Sequence, residues 1–185
     1  MSIESNVAEI RKNIYNAAIA AGRNPDEILL CAATKMNDAD AVKRAIAAGV
    51  DCCGENKVQE LTAKLKENAY AGAPVHFIGH LQTNKVRMVV GNVDLIQSVD
   101  SIRLLDAINK EAQKKNIVQN ILLEINIGNE ESKSGFLQQE IWDILPKIGE
   151  YKNIFVKGLM AIPPICQKTE KIANFFKKCI TFLLT

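Results

Sequence analysis

Ile28-Leu29-Leu30-Cys31-Ala32-Ala33-Thr34-Lys35 is a run of seven residues suited to a buried strand that ends in one amine. Beyond Lys35, Asn37, Asp38 and Asp40 precede Val42, Ala45 and Ile46, and Gly49 closes the stretch. The pattern predicts a strand, a turn and a capped helix, with Lys35 at the carboxyl end of the strand. In barrels of strand-helix units that end of each strand carries the chemistry. A lysine there is either a Schiff-base nucleophile, its amine freed by burial, or a side chain snorkelling off the strand end. The octapeptide alone leaves both readings open.

On the N-terminal side, Ile3, Val7, Ile10, Ile14, Ala17 and Ala21 predict an amphipathic helix over 3–21, ended by Gly22 and Pro25. On the C-terminal side the same punctuation repeats. Strands are expected at 50–53, 75–78, 94–97, 119–127 and 154–160. The helices between them carry Val58, Leu61 and Leu65, then Val86, Val89 and Val90, then Ile102, Leu105, Ile108 and Ala112, then Ile141, Trp142, Ile144, Leu145 and Ile148. Pro146 should kink or shorten the helix it interrupts. Pro163-Pro164 breaks the chain, and Ile172, Phe175, Phe176, Cys179, Ile180 and Leu183 predict a last helix. One helix followed by six strand-helix units implies an α/β fold with a parallel sheet, either open and doubly wound or part of a (β/α)₈ barrel. No Gly-x-Gly-x-x-Gly follows the first strand, which weighs against dinucleotide binding.

At 185 residues, one domain is the expectation. The 23 basic side chains nearly balance 21 acidic ones, so nucleic acid is not an expected partner. No apolar run is long enough to span a membrane, and Met1-Ser2-Ile3-Glu4-Ser5 has neither a basic nor an apolar leader region. A cytoplasmic protein is therefore expected. The cysteines are Cys31, Cys52, Cys53, Cys166 and Cys179; they form no C-x-x-C pair, and His76 and His80 adjoin none. Reduced, buried thiols are expected, and no metal site.

The strand ends read Lys35, Glu55-Asn56, His80, Ser98, Asn126 and Met160. Each has a structural alternative. Asn56 can cap its helix, His80 can donate to a backbone carbonyl, Asn126 can satisfy a turn, and Met160 can belong to the core. Glu124, inside an apolar strand, needs a partner or a polar barrel interior. The glycine-bounded loop 128–135 is either a solvated connection or a flap carrying Lys133 over the barrel mouth.

Several of these segments together resemble the pyridoxal phosphate homeostasis proteins. They are Ala33-Thr34-Lys35, Gly54-Glu55-Asn56-Lys57-Val58-Gln59-Glu60, the run from His76-Phe77-Ile78-Gly79-His80-Leu81 to Lys85, Ser98-Val99-Asp100-Ser101, Ile125-Asn126-Ile127 with Glu131-Ser132-Lys133-Ser134-Gly135, and Gly158-Leu159-Met160. The resemblance runs over residues 5–176. It implies a TIM-like (β/α) barrel of the alanine racemase N-terminal domain type, one domain over 1–185. It implies that Lys35 holds pyridoxal 5′-phosphate as a Schiff base, with Asn56, His80, Asn126 and Met160 as further cofactor-binding positions. Lys133 matches a family lysine whose role stays open. It further implies a cytoplasmic protein, not an enzyme, that binds, stores or delivers the cofactor and keeps vitamin B6 pools in balance. Other B6 vitamers and apoenzymes that use the cofactor are candidate partners.

Two departures from the family pattern stand out. Met36-Asn37 follows the lysine where the family often has a proline. The family's Ser-Met-Gly-Met-Ser and Arg-Ile-Gly segments are absent, and Lys177 to Thr185 no longer resembles the family. An incomplete barrel is therefore expected, truncated or frameshifted near residue 178, without its last βα units and with weakened phosphate anchoring. The alternatives are a fragment that does not bind the cofactor and, behind it, an amino-acid racemase. A racemase needs a second acid/base, and Tyr15, Tyr70 and Tyr151 are expected in helices or loop starts away from the strand ends.

Overall fold

Ser2 opens the first helix, α1 (Ile3–Ala20): its hydroxyl accepts the Ser5 N–H while the Ser5 hydroxyl accepts the Ser2 N–H. Gly22, at φ +65°, leads the chain out of it. The structure, a computed structural model, describes residues 2–128, 130, 133–163, 172–177 and 179. It divides into two compact units, Met1–Phe77 and Ile78–Thr185.

In the first unit three short strands run parallel: β1 (Cys31–Ala33), β2 (Cys52–Glu55) and β3 (Val75–Phe77). The connections are α2 (Ala39–Ala47) and α3 (Val58–Lys66). Asp38 caps α2 by accepting the Ala41 N–H, as the Asn-Asp-x-Asp run predicts. Two expectations shift here. The buried line of α1 is Val7 and Ala18, whereas Ile10 is 45% exposed and Ala17 and Ala21 lie outside the core. The helix is tied to α2 and the β2 approach by its polar side: Glu4 pairs with Arg44, and the Arg11 guanidinium donates to Gly49 O and pairs with Asp51. β2 starts at Cys52 rather than Val50, because Val50 N–H still closes α2 on Ala45 O and the Asp51 carboxylate accepts the Leu30 N–H.

In the second unit a 3₁₀ turn (Thr83–Lys85) enters α4 (Val86–Val89), and β4 (Leu95–Val99), α5 (Ile102–Lys114), β5 (Gln119–Glu124), α6 (Gln138–Ile144) and β6 (Ile154–Met160) follow. β5 is parallel to β4 on one side and to β6 on the other. It alternates: Gln119, Ile121 and Leu123 are buried, Asn120, Leu122 and Glu124 less so. Against it α5, capped by Ser101, presents Leu104, Leu105, Ile108 and Ala112, all at most 1% exposed. Each of the two leucines and the isoleucine stabilises the fold by about 1.5–3 kcal/mol.

β4 extends to Val99, past the expected Gln97; the Ser98 hydroxyl donates to Gly79 O, so a buried polar residue fits inside the strand. β5 stops at Glu124 instead of Ile127, because Phe136 folds back onto it. Phe136 N–H donates to Glu124 O, and Asn126 N–H donates to Phe136 O. Pro146 acts as expected: α6 ends at Ile144 and the chain continues as a 3₁₀ helix (Leu145–Glu150) with the proline in its first turn. Of the predicted last helix, 172–177 is helical; Ile180 and Leu183 lie outside the described residues. Among the described residues no helix is long and apolar enough to cross a membrane.

Candidate functional site

The backbone on either side of Lys35 is held at several points. Thr34 O accepts from Lys64 Nζ at 2.6 Å, and Thr34 Oγ1 donates to Glu55 Oε1 at 2.6 Å. Lys35 O accepts from Asn37 Nδ2, and Met36 N–H donates to Glu60 Oε2 at 2.8 Å, which lowers the Glu60 pKa. Met36 itself sits at φ +61°, a left-handed conformation that costs energy for a side chain of this size and persists because its neighbours impose it. Of the two readings open for Lys35, its side chain is exposed rather than buried, and among the described residues its amine has no hydrogen-bond or ion-pair partner.

The clamp is anchored by one buried carboxylate. Glu55, 0% exposed at the end of β2, accepts at Oε1 from Thr34, from Lys64 Nζ at 2.7 Å and from the Tyr70 hydroxyl at 3.2 Å. Burial, then the Glu55 charge, raises the Tyr70 pKa, so its proton stays on the hydroxyl. This corrects the reading of Tyr70 as remote from strand ends: it reaches the end of β2, and its hydroxyl is engaged there. Thr34, Glu55, Glu60, Lys64 and Tyr70 were not singled out as one group by the sequence. The available signal was Lys64, which falls on the α3 face of Val58 and Leu61 where an apolar residue is expected; Leu65, the expected stripe residue, is 37% exposed.

Thr34 turns toward Glu55, and Lys35 follows it in the turn beyond β1. Ala33 pairs with Gly54, so Lys35 and Asn56 each follow just beyond the ends of two neighbouring strands, β1 and β2. Asn56 does not cap α3; the residue at the cap is Lys57, with no side-chain cap bond. Asn56 Oδ1 is buried with no hydrogen-bond partner among the described residues. The first unit therefore presents, at two neighbouring strand ends, an unpaired amine and an unsatisfied amide oxygen.

The second unit sets its residues differently. His80 follows β3 and its Nδ1 lies 3.0 Å from Asp100 Oδ2, a carboxylate rather than the backbone carbonyl of its structural alternative. Glu124 ends β5; burial first, then the Asp100 charge, raises its pKa, with His80 opposing. Asn126 serves the turn: Nδ2 donates to Glu130 O and Lys133 O, and Oδ1 accepts the Glu130 N–H. Met160 ends β6 level with Glu124, is half-buried, and its carbonyl accepts the Ile125 N–H. Lys133 is held within its own loop by Glu130 at 2.7 Å and reaches Pro163 O at 3.4 Å.

Residues 5–183 match the alanine racemase N-terminal domain family. The chain is 36% identical over 172 residues to the pyridoxal phosphate homeostasis protein of Aquifex aeolicus, covering 93% of this chain and 75% of that one. The chain belongs to the pyridoxal phosphate homeostasis protein family. A crystal structure of an unknown protein from Bifidobacterium adolescentis superposes with a TM-score of 0.89 at 36% identity, over 97% of this chain and 76% of that one. PipY of Synechococcus elongatus, solved with PLP bound, superposes with a TM-score of 0.78 at 28% identity, over 91% of this chain and 79% of its own. The expected fold class stands with the family: α/β, of the TIM-like alanine racemase N-terminal type.

The residues of a family member can be tested against the family's cofactor. Pyridoxal 5′-phosphate brings an aldehyde, which requires an accessible amine, and polar ring substituents, which require hydrogen-bond partners. The unpartnered Lys35 amine and the orphaned Asn56 Oδ1 fit those two requirements.

Proposed function

We propose that this protein binds pyridoxal 5′-phosphate through Lys35 and serves the intracellular balance of that cofactor, in the cytoplasm and without catalytic turnover of its own. The observation that carries the reading is the exposed, unpartnered amine of Lys35 on a backbone fixed by Lys64, Glu55 and Glu60. When bound, the cofactor supplies an aldehyde that forms a reversible Schiff base with an amine. The clamp fixes the backbone that carries that amine without engaging the amine itself. Asn56 offers an amide oxygen as an acceptor from the ligand. His80 and Met160 are proposed to contact the cofactor directly. Asn126, with its side chain committed to the turn, contributes by shaping the loop. Free cofactor, other B6 vitamers and apoenzymes that need it are the proposed partners. The engagement of Tyr70 by Glu55, and of the Tyr151 hydroxyl by Asp106, leaves those two tyrosines without the free hydroxyl a racemase would use.

Incubation with pyridoxal 5′-phosphate followed by borohydride reduction and peptide mapping tests the reading. A stable adduct on Lys35, absent in Lys35→Ala while the variant keeps its circular dichroism, is the expected result. No adduct in folded protein would mean a chain that keeps the lysine without the binding. Racemisation of amino acids abolished by Lys35→Ala would replace the non-enzymatic reading.

A further inference from the structure

Cys31, Cys52 and His76 lie on three adjacent parallel strands of the first unit. The register pairs Cys31 with Cys52 and Gly54 with His76. Cys52 and Gly54 are two apart on β2 and share a face, so the three side chains leave the sheet on one side. Their two sulfurs and the imidazole nitrogen lie within 4.8 Å of one another. Cys52 Sγ and His76 Nδ1 are 3.5 Å apart. With ordinary zinc–sulfur and zinc–nitrogen bonds at a tetrahedral ion, that edge is about 3.6 Å and the sulfur–sulfur edge about 3.8 Å. The set therefore closes on an ion with movements of about 1 Å or less, the scale of a side-chain adjustment. Cys52 is buried and the other two are half-buried, so the donors are sheltered yet reachable.

We propose that Cys31 Sγ, Cys52 Sγ and His76 Nδ1 form a binding site for a thiophilic d¹⁰ cation, Zn²⁺ or Cu⁺. Two thiolates and a neutral imidazole are a soft donor set without carboxylate, which disfavours Mg²⁺ and Ca²⁺. Two thiolate charges neutralise a zinc ion and leave a fourth position for water; three donors alone suit Cu⁺. On binding, each S–H bond breaks, a metal–sulfur bond forms, and the two protons pass to solvent; no electron changes hands. None of the three residues belongs to the proposed cofactor set, so the site stands independently of that reading.

The test uses the full chain, reduced with a phosphine, titrated with Zn²⁺ against a chromophoric chelator and with Co²⁺ as a spectroscopic stand-in. One equivalent is expected to bind, with release of protons and a thiolate-to-cobalt charge-transfer band. Cys31→Ser, Cys52→Ser and His76→Ala should each weaken binding by about 100-fold or more. A variant with Cys53, Cys166 and Cys179 all changed to Ser should bind as the parent does. Cys53 projects from the other side of β2, and burial pushes its thiol up to about 11. Binding of Cu⁺ alone, with the same variant pattern, would assign the site to copper. Absence of both the cobalt band and Cu⁺ binding in the reduced parent overturns the proposal, and so does loss of binding in the triple variant. The parent's cobalt spectrum decides even if a ligand variant fails to fold.

Discussion

Lys64 and Glu55 form a nearly water-free ion pair: their side chains are 7% and 0% exposed. Such a pair is held by its hydrogen bonds against a large desolvation cost, and removing one partner strands the other. Lys64→Ala is expected to destabilise the fold by about 3–5 kcal/mol, measured by urea unfolding. The double variant Lys64→Met, Glu55→Gln should cost less than Lys64→Ala, because no bare charge remains. It should still slow adduct formation at Lys35, since Thr34 O loses its ammonium donor.

Glu124 behaves in the opposite sense. Its folded-state pKa is raised, chiefly by burial, so the folded protein holds that proton more tightly than the unfolded chain does. Ionisation then costs stability. The cost is absent below the ordinary carboxylate range and complete above the raised value. Glu124→Gln should raise the melting temperature at about pH 8 and lose that gain near about pH 4. A lower melting temperature at about pH 8 would show that the ionised carboxylate is stabilised by His80 more than burial penalises it.

At the scale of elements, the return of the 126–136 loop onto β5 depends on one glycine. Gly135 sits at φ +118°, and a Cβ there would stand 2.6 Å from Asn126 N and 2.8 Å from Ile125 C. Neither backbone atom can move without breaking the Phe136 bonds to Glu124 O and Asn126 N–H. Gly135→Ala is expected to cost about 1–3 kcal/mol or more and to free the Asn126 amide for exchange. Unchanged protection of that amide would show that the loop closes without the glycine. Asn126 takes part in this same device through its three bonds to Glu130 and Lys133.

Across the whole molecule the two units differ in how their strands are supported. β5 has six residues and a parallel partner on each side, whereas β1 has three residues and pairs with β2 over three positions. Amide exchange of Ile121 and Leu123 should therefore be slower than that of Cys31 and Ala33 by about tenfold or more. Equal rates in both would mean that the chain opens only as one cooperative body.

The order of elements, the parallel alternation, the Asp38 and Ser101 caps, the break at Pro146 and the place of Lys35 at a strand end all follow from residues within a few positions of one another. A single sequence records such local spacing directly, as it records the run of segments that marks the family. Strand limits were legible only to within two or three residues, because Val50, Asp51 and Ile125 are claimed by neighbours outside their own strand. What only the tertiary structure decided involves partners far apart in the chain. Lys64 on Glu55 and Thr34, His80 on Asp100, and Cys31 beside Cys52 and His76 are set by strand register and helix packing. The physical reason is that periodicity reports which face of an element a residue occupies, while the residue it meets there is fixed by how the elements align.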